Sequence, residues 1–207
     1  MVITYYGEAF LKVSFGDTVV AVNPIGKSAN NKSARFGADL AISSCHDDLF
    51  NGVTGLTGGG KEPFIIYGPG EYEYSGIFVK GYESVGPAGL VNTIYSFLLE
   101  GIRVVCLGAL ANTNLPPDTL EEISGADIIF VPAGEADTLS ARVAAKFASS
   151  LEPKVIIPVM YGDEKSDKLK EFLSETGETK AVSVDKLSLK KKDLEGKEAE
   201  VVVLQAV

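Results

Sequence analysis

Through the first hundred residues the chain runs in short apolar stretches at strand length, broken by glycine. Val2 to Tyr6, Ala9 to Phe15 and Thr18 to Asn23 are rich in β-branched and aromatic residues, and Gly7-Glu8 and Gly16-Asp17 separate them, which predicts a meander. Asp39 to Ser43, Phe64 to Tyr67, Gly76 to Glu83, Asn92 to Glu100 and Ile102 to Leu107 continue the series, with a hairpin turn at Glu100-Gly101. After Gly108 the period changes. Pro117 to Ser124 predicts a short helix and Asp127 to Pro132 a strand buried on both faces. Asp137 is placed to cap a helix running to about Leu151, with Leu139, Val143, Phe147 and Leu151 along one face. Lys154 to Met160 repeats the buried strand. An amphipathic helix follows from about Glu164 to Thr176, showing Leu169, Phe172 and Leu173, and strands close the chain at Lys186 to Leu189 and Glu200 to Leu204. A meander followed by strand–helix alternation predicts a layered α/β sandwich. No linker or low-complexity stretch interrupts it, so a single domain over residues 1–207 is expected.

Composition narrows the chemistry. One histidine and two cysteines exclude sites built from several imidazoles, zinc fingers and a disulfide framework; Cys45 and Cys106 are expected as reduced thiols. The formal net charge is −9, and both halves are acidic: residues 1 to 103 hold 7 basic and 10 acidic side chains, the remainder 12 and 18. A nucleic-acid footprint needs clustered lysine and arginine, so nucleic acid is not an expected partner. The one basic run, Lys190-Lys191-Lys192, meets Asp193 and Glu195 at once and reads as a solvated turn. The opening Met1 to Glu8 lacks the basic-then-apolar order of a signal peptide, and no apolar run approaches the roughly 18 residues a membrane helix requires. The expected location is the cytoplasm, without a membrane partner, and a homo-oligomer is compatible with this composition.

Four motifs carry candidate chemistry. Gly55 to Lys61 has the spacing of a phosphate-binding loop, but Glu62-Pro63 and a strand-like Phe64-Ile65-Ile66-Tyr67 follow where a Ser or Thr and a helix are needed, so it reads as a loop. Cys45-His46 suggests a nucleophile and base, yet neighbours on an extended segment point to opposite faces. Glu71 and Glu73 share one strand face and read as a solvent-facing edge. The most informative stretch is Ala41 to Asn51, where an apolar strand ends in His46-Asp47-Asp48; strand ends of layered α/β folds are where ligands and metals gather.

Taken together in order, Ile3 to Phe10, Val19 to Pro24, Ala38 to Ser43, Gly68 to Glu73, Ile102 to Gly108, Asp127 to Pro132 and Lys154 to Pro158 resemble the metallo-β-lactamase superfamily. The branch they resemble is that of compact metal-dependent hydrolases similar to ascorbate-6-phosphate lactonase. The resemblance implies a four-layer αβ/βα sandwich with its site at the strand ends between two sheets. It further implies one or two metal ions held by a His-x-His-x-Asp-His loop and later His and Asp residues, activating a water. That loop falls on Ser44 to Leu49, matching at His46 and Asp48, while Ser44 and Leu49 stand where histidines are expected. Glu8 stands in the early Gly-His turn, Asn23 at the Ile-Asp-Pro aspartate, Ala109 at the bridging aspartate and Met160 at the late histidine.

Two readings follow. In the first, the scaffold is retained with a degenerate metal site and no cofactor, and the chain serves in binding or assembly instead of conventional hydrolysis. In the second, Glu8, His46, Asp48 and Glu135 form a rebuilt site for a divalent ion, Zn²⁺, Mn²⁺ or Mg²⁺, its carboxylates suiting the harder cations, with Asp48 as general base. The count of replaced ligands favours the first. A cysteine enzyme using Cys45 or Cys106 stands behind both.

Overall fold

The structure, a computed structural model, describes residues 1–26, 36–56, 62–179, 181 and 183–207. The phosphate-loop-like segment therefore falls largely outside the described residues, although the strand after it forms as expected.

The meander forms at β1 (Val2–Tyr5), β2 (Leu11–Phe15) and β3 (Thr18–Val22), joined antiparallel by Val2↔Ser14 and Val13↔Val20 pairings. Parallel strands β4 (Leu40–Ser43) and β5 (Phe64–Tyr67) extend this sheet. A second sheet begins with β6 (Gly70–Tyr74), β7 (Ile77–Val85), β8 (Val91–Leu99) and β9 (Ile102–Cys106), all antiparallel. Two parallel strands continue it, β10 (Ile128–Pro132) and β11 (Val155–Val159). Short strands β12 (Ser183–Val184), β13 (Leu187–Ser188), β14 (Glu200–Val201) and β15 (Val203–Leu204) close the chain. The six-stranded sheet has the order β13-β1-β2-β3-β4-β5 and the seven-stranded sheet β14-β11-β10-β9-β8-β7-β6, with a β12-β15 pair beside them.

Both β10 and β11 are buried at every position, as their unbroken apolar sequences require of central parallel strands covered on two faces. One core joins the inner faces of the sheets, from Ile3, Val13 and Ile42 to Phe97, Val104 and Ile157. Helices α1 (Pro117–Ile123), α2 (Ala141–Ser150) and α3 (Asp167–Thr176) accompany the second sheet, α2 resting on both α3 and β10. Over the first sheet, a smaller cluster of Phe10, Ile25, Val53 and Leu56 is closed by a 3-10 turn at Val53–Gly55. These are the flanked mixed sheets of the expected sandwich.

Four local expectations are corrected. Helix α2 starts after Ser140, because Asp137 lies in a left-handed turn at φ +56°. Leu139, Phe147 and Leu151 are buried as expected, together with Ala141, Ala144, Ala145 and Ala148, whereas Val143 is exposed. The start of α3 is set by Ser166, whose hydroxyl accepts from the Leu169 N–H at 3.2 Å. Lys191 is not simply solvated: its ammonium reaches the buried Asp127 at 2.5 Å, beside Lys154 at 2.8 Å.

Candidate functional site

Strands from both sheets end at one rim of the sandwich, and hydrogen bonds stitch those ends together. Ser44, just past β4, donates its N–H to Asn23 Oδ1 at 2.8 Å, and its carbonyl accepts from Thr93 of β8 at 2.8 Å. Asn92 is fully buried; its amide donates to Ser84 Oγ at 2.7 Å and the Leu107 carbonyl at 3.0 Å, and its Oδ1 accepts from the Ala109 N–H at 2.7 Å. On the far side, the Met160 N–H donates to the Glu8 carbonyl at 2.9 Å, and the Met160 carbonyl accepts from Glu135 at 3.0 Å. The Tyr5 hydroxyl donates to the same Glu8 carbonyl at 2.7 Å. Burial pushes that phenol well above its ordinary range, with Tyr161 adding to the effect, so it stays a neutral donor.

Several left-handed residues lie at this rim. Glu8 (φ +49°), Asn23 (+48°), Gly108 (+63°) and Met160 (+54°) follow strand ends, and Ala136 (+51°) and Asp137 (+56°) lie in the loop after β10. For residues with a side chain such a conformation costs of order 1 kcal/mol and persists where the surroundings enforce it, commonly at functional sites. Of these positions, Glu8 and Met160 stand where the metallo-β-lactamase resemblance places histidines, and Asn23 at its Ile-Asp-Pro aspartate.

The side chains at the rim are disposed as follows. His46 is exposed, its ring stacked on Tyr67 at 5.6 Å and its Nδ1 3.5 Å from the Asn51 amide. Asp48 is exposed, and its backbone carbonyl accepts from Gly26 at 2.7 Å. Ser44 is 3% exposed and its hydroxyl has no hydrogen-bond partner. Ala109 and Met160 are fully buried. The Glu135 carboxylate is held by Lys168 of α3 at 2.6 Å. Cys45 is buried while its neighbour His46 is exposed, which is the opposed arrangement expected of adjacent extended residues. Burial, and then the Asp47 carboxylate, push the Cys45 thiol up; burial alone pushes Cys106 far up. Glu71 and Glu73 lie exposed on β6, the outer strand of its sheet.

Asn92 was not among the candidates drawn from the sequence. Its signal is an asparagine near the head of a strand that otherwise reads Val-x-Thr-Ile-Tyr, a polar group placed to be buried and therefore obliged to find partners. Lys168 carries no such signal, because nothing local distinguishes it from other lysines of an amphipathic helix.

The sequence model of the β-lactamase superfamily domain matches residues 2–160, so the chain belongs to that superfamily. A candidate Zn-dependent hydrolase of the metallo-β-lactamase superfamily from Thermotoga maritima is 28% identical, covers 99% of this chain and 98% of its own, and superposes with a TM-score of 0.79. A candidate metal-dependent hydrolase from Parabacteroides distasonis is 16% identical over 98% of this chain and 93% of its own, with a TM-score of 0.67. Igni18, a metallo hydrolase from Ignicoccus hospitalis, gives 16% identity, 99% and 95% coverage and a TM-score of 0.62. No protein of curated function matches the sequence.

The chain thus has the fold of a typically metal-dependent family of hydrolases. Among the described residues, no three His, Cys, Asp or Glu side chains group closely enough to hold a metal ion. No helix among the described residues is long and apolar enough to cross a membrane.

Proposed function

We propose that this chain keeps the metallo-β-lactamase scaffold with a dismantled metal centre and acts by binding, without conventional metal-dependent hydrolysis. The observation that carries the reading is the packing around Ser44. This residue stands at the first histidine of the metal loop, and a single Cβ added at Gly108 would lie 2.5 Å from its Cβ and Oγ. The chain just past β9 therefore packs closely on the Ser44 hydroxymethyl group, which supports a reading in which this position no longer carries a ligand. The fully buried Met160 and Ala109 supply a thioether and a methyl at two further ligand positions, and neither is a donor suited to Zn²⁺.

One observation supports the rebuilt site as a second reading: Glu8 and Glu135 are both hydrogen-bonded to Met160 through the backbone, which brings their loops together. Against it stands the engagement of Glu135 by Lys168, which would have to be released before that carboxylate could bind a cation.

Elemental analysis of protein purified without chelator tests the two. The proposal expects zinc, manganese and magnesium each well below one ion per chain. One equivalent of any of them, lost in His46→Ala and Asp48→Ala, would overturn it and establish the rebuilt site.

A further inference from the structure

We propose that the cavity between the His46 loop and the tip of the β7–β8 hairpin is a docking site for a partner polypeptide that presents a short aliphatic side chain beside a lysine or arginine. The proposal rests on the binding reading above. Leu49, Phe50, Pro87, Leu90 and Ala136 wall a space of about 50 Å³. That is room for roughly four water-sized groups, the size of a valine or leucine side chain. Cys45 also lines it, and with its thiol pushed up by burial it behaves there as a small apolar group.

The apolar character continues onto the surface. Val85 (48% exposed), Leu90 (41%) and Val91 (55%) sit at the hairpin tip, with Val85 directly opposite Val91. Hairpin tips are ordinarily polar, and adjoining exposed aliphatic groups mark contact surfaces. Of the other exposed rings, Phe64 stacks on Tyr74 and Tyr67 on His46, while Phe15 and Phe78 lie exposed on β2 and β7. The tip is also preorganised. Gly86 donates to the Leu90 carbonyl at 2.8 Å, Ala111 donates to the Val85 carbonyl at 2.9 Å, and Ala88 and Gly89 hold φ of +53° and +77°.

Charge specifies the occupant. The described stretches that line this cavity, residues 45–50, 85–91 and 135–137, contain no lysine or arginine. Asp47, which lines the cavity, and Asp48 and Asp137 beside it are all exposed. The cation that α3 brings to this side, Lys168, is taken up by Glu135. An apolar socket within an acidic rim, on a chain of net charge −9, selects an aliphatic side chain flanked by positive charge.

The test is an amide chemical-shift titration of the full chain with three capped peptides, Lys-Gly-Leu-Gly-Lys, Glu-Gly-Leu-Gly-Glu and Lys-Gly-Gly-Gly-Lys. The first should move the amides of Cys45, Leu49, Leu90 and Ala136 saturably, and the other two should bind about tenfold more weakly or not at all. Leu90→Ser with Val91→Ser should lose the response while the remaining spectrum shows an intact fold. Asp47→Asn with Asp137→Asn should weaken the first peptide and abolish its advantage over the acidic one. No saturable shifts at these four amides, or equal responses to the basic and acidic peptides, would overturn the proposal. So would concentration-dependent shifts at the rim without peptide, which would assign the socket to a second copy of the chain. Elemental analysis of the same sample separates the failures: stoichiometric metal overturns the binding reading, whereas metal-poor protein that ignores the peptides overturns the docking site alone.

Discussion

Replacing Gly108 by alanine probes the packing on which the functional reading depends. The new methyl group must adopt φ +63° and meet Ser44 Cβ and Oγ at 2.5 Å and Asn92 Oδ1 at 2.6 Å. A left-handed backbone with a side chain costs about 1 kcal/mol. Overpacking a tight interior adds about 1–3 kcal/mol. The upper part of that range applies, because Ser44 and Asn92 are both buried and hydrogen-bonded on the two sides of the seam. The expected total is about 3 kcal/mol, a large fraction of the roughly 5–15 kcal/mol that holds an ordinary domain together. With a slope of about 2 kcal/mol per molar urea, the unfolding midpoint should fall by about 1.5 M. Circular dichroism follows the transition. Ser44→Gly removes the two closest atoms, so the double variant should recover about 1 kcal/mol relative to the sum of the singles. A loss below about 1 kcal/mol for Gly108→Ala, or strict additivity in the double variant, would refute the idea that this seam is closed.

Two further outcomes follow from the structure. Burial opposes ionisation of Asp127, but Lys154, Lys191 and the Arg103 N–H more than offset it and hold the carboxyl below its ordinary 3.8. Its contribution to stability is therefore present above about pH 4 and is lost as acid protonates it in the folded chain. Asp127→Asn should cost about 2 kcal/mol at pH 7 and flatten the acid limb of the stability profile; an unchanged acid limb would contradict this. The thiols should resist alkylation in the folded chain at neutral pH, Cys106 more than Cys45, and both should label fully in denaturant. Rapid labelling of either would reopen the reading of a cysteine nucleophile.

The parts of the fold that were legible in the sequence are those whose pattern is local. Ile128–Pro132 and Val155–Val159 are apolar throughout, and only strands covered on both faces are stable with such a sequence. The strand Gly70–Tyr74 was read only as a face carrying Glu71 and Glu73, because its pairing with Gly81 to Ile77 is a matter of register between segments. Along α2 the expected Leu139, Phe147 and Leu151 are buried but Val143 is exposed, since side-chain spacing alone does not show where a helix begins. At the candidate site the sequence displayed His46 and Asp48 where the superfamily expects them, and the substitutions at Ser44, Leu49, Ala109 and Met160 around them.

By itself, the sequence determined the sandwich class, the superfamily and the scarcity of ligands, because composition, strand-length apolar runs and motif order are properties of the linear chain. Only the tertiary structure decided how these positions pack. It buried Asn92 as the clasp between β8 and the end of β9, closed Gly108 onto Ser44, drew Lys168 to Glu135 and opened an apolar socket beside an acidic rim. Each of these depends on residues far apart in sequence arriving at the same strand ends, and side-chain packing at such a meeting point follows from the register and twist of two whole sheets, which no local pattern encodes.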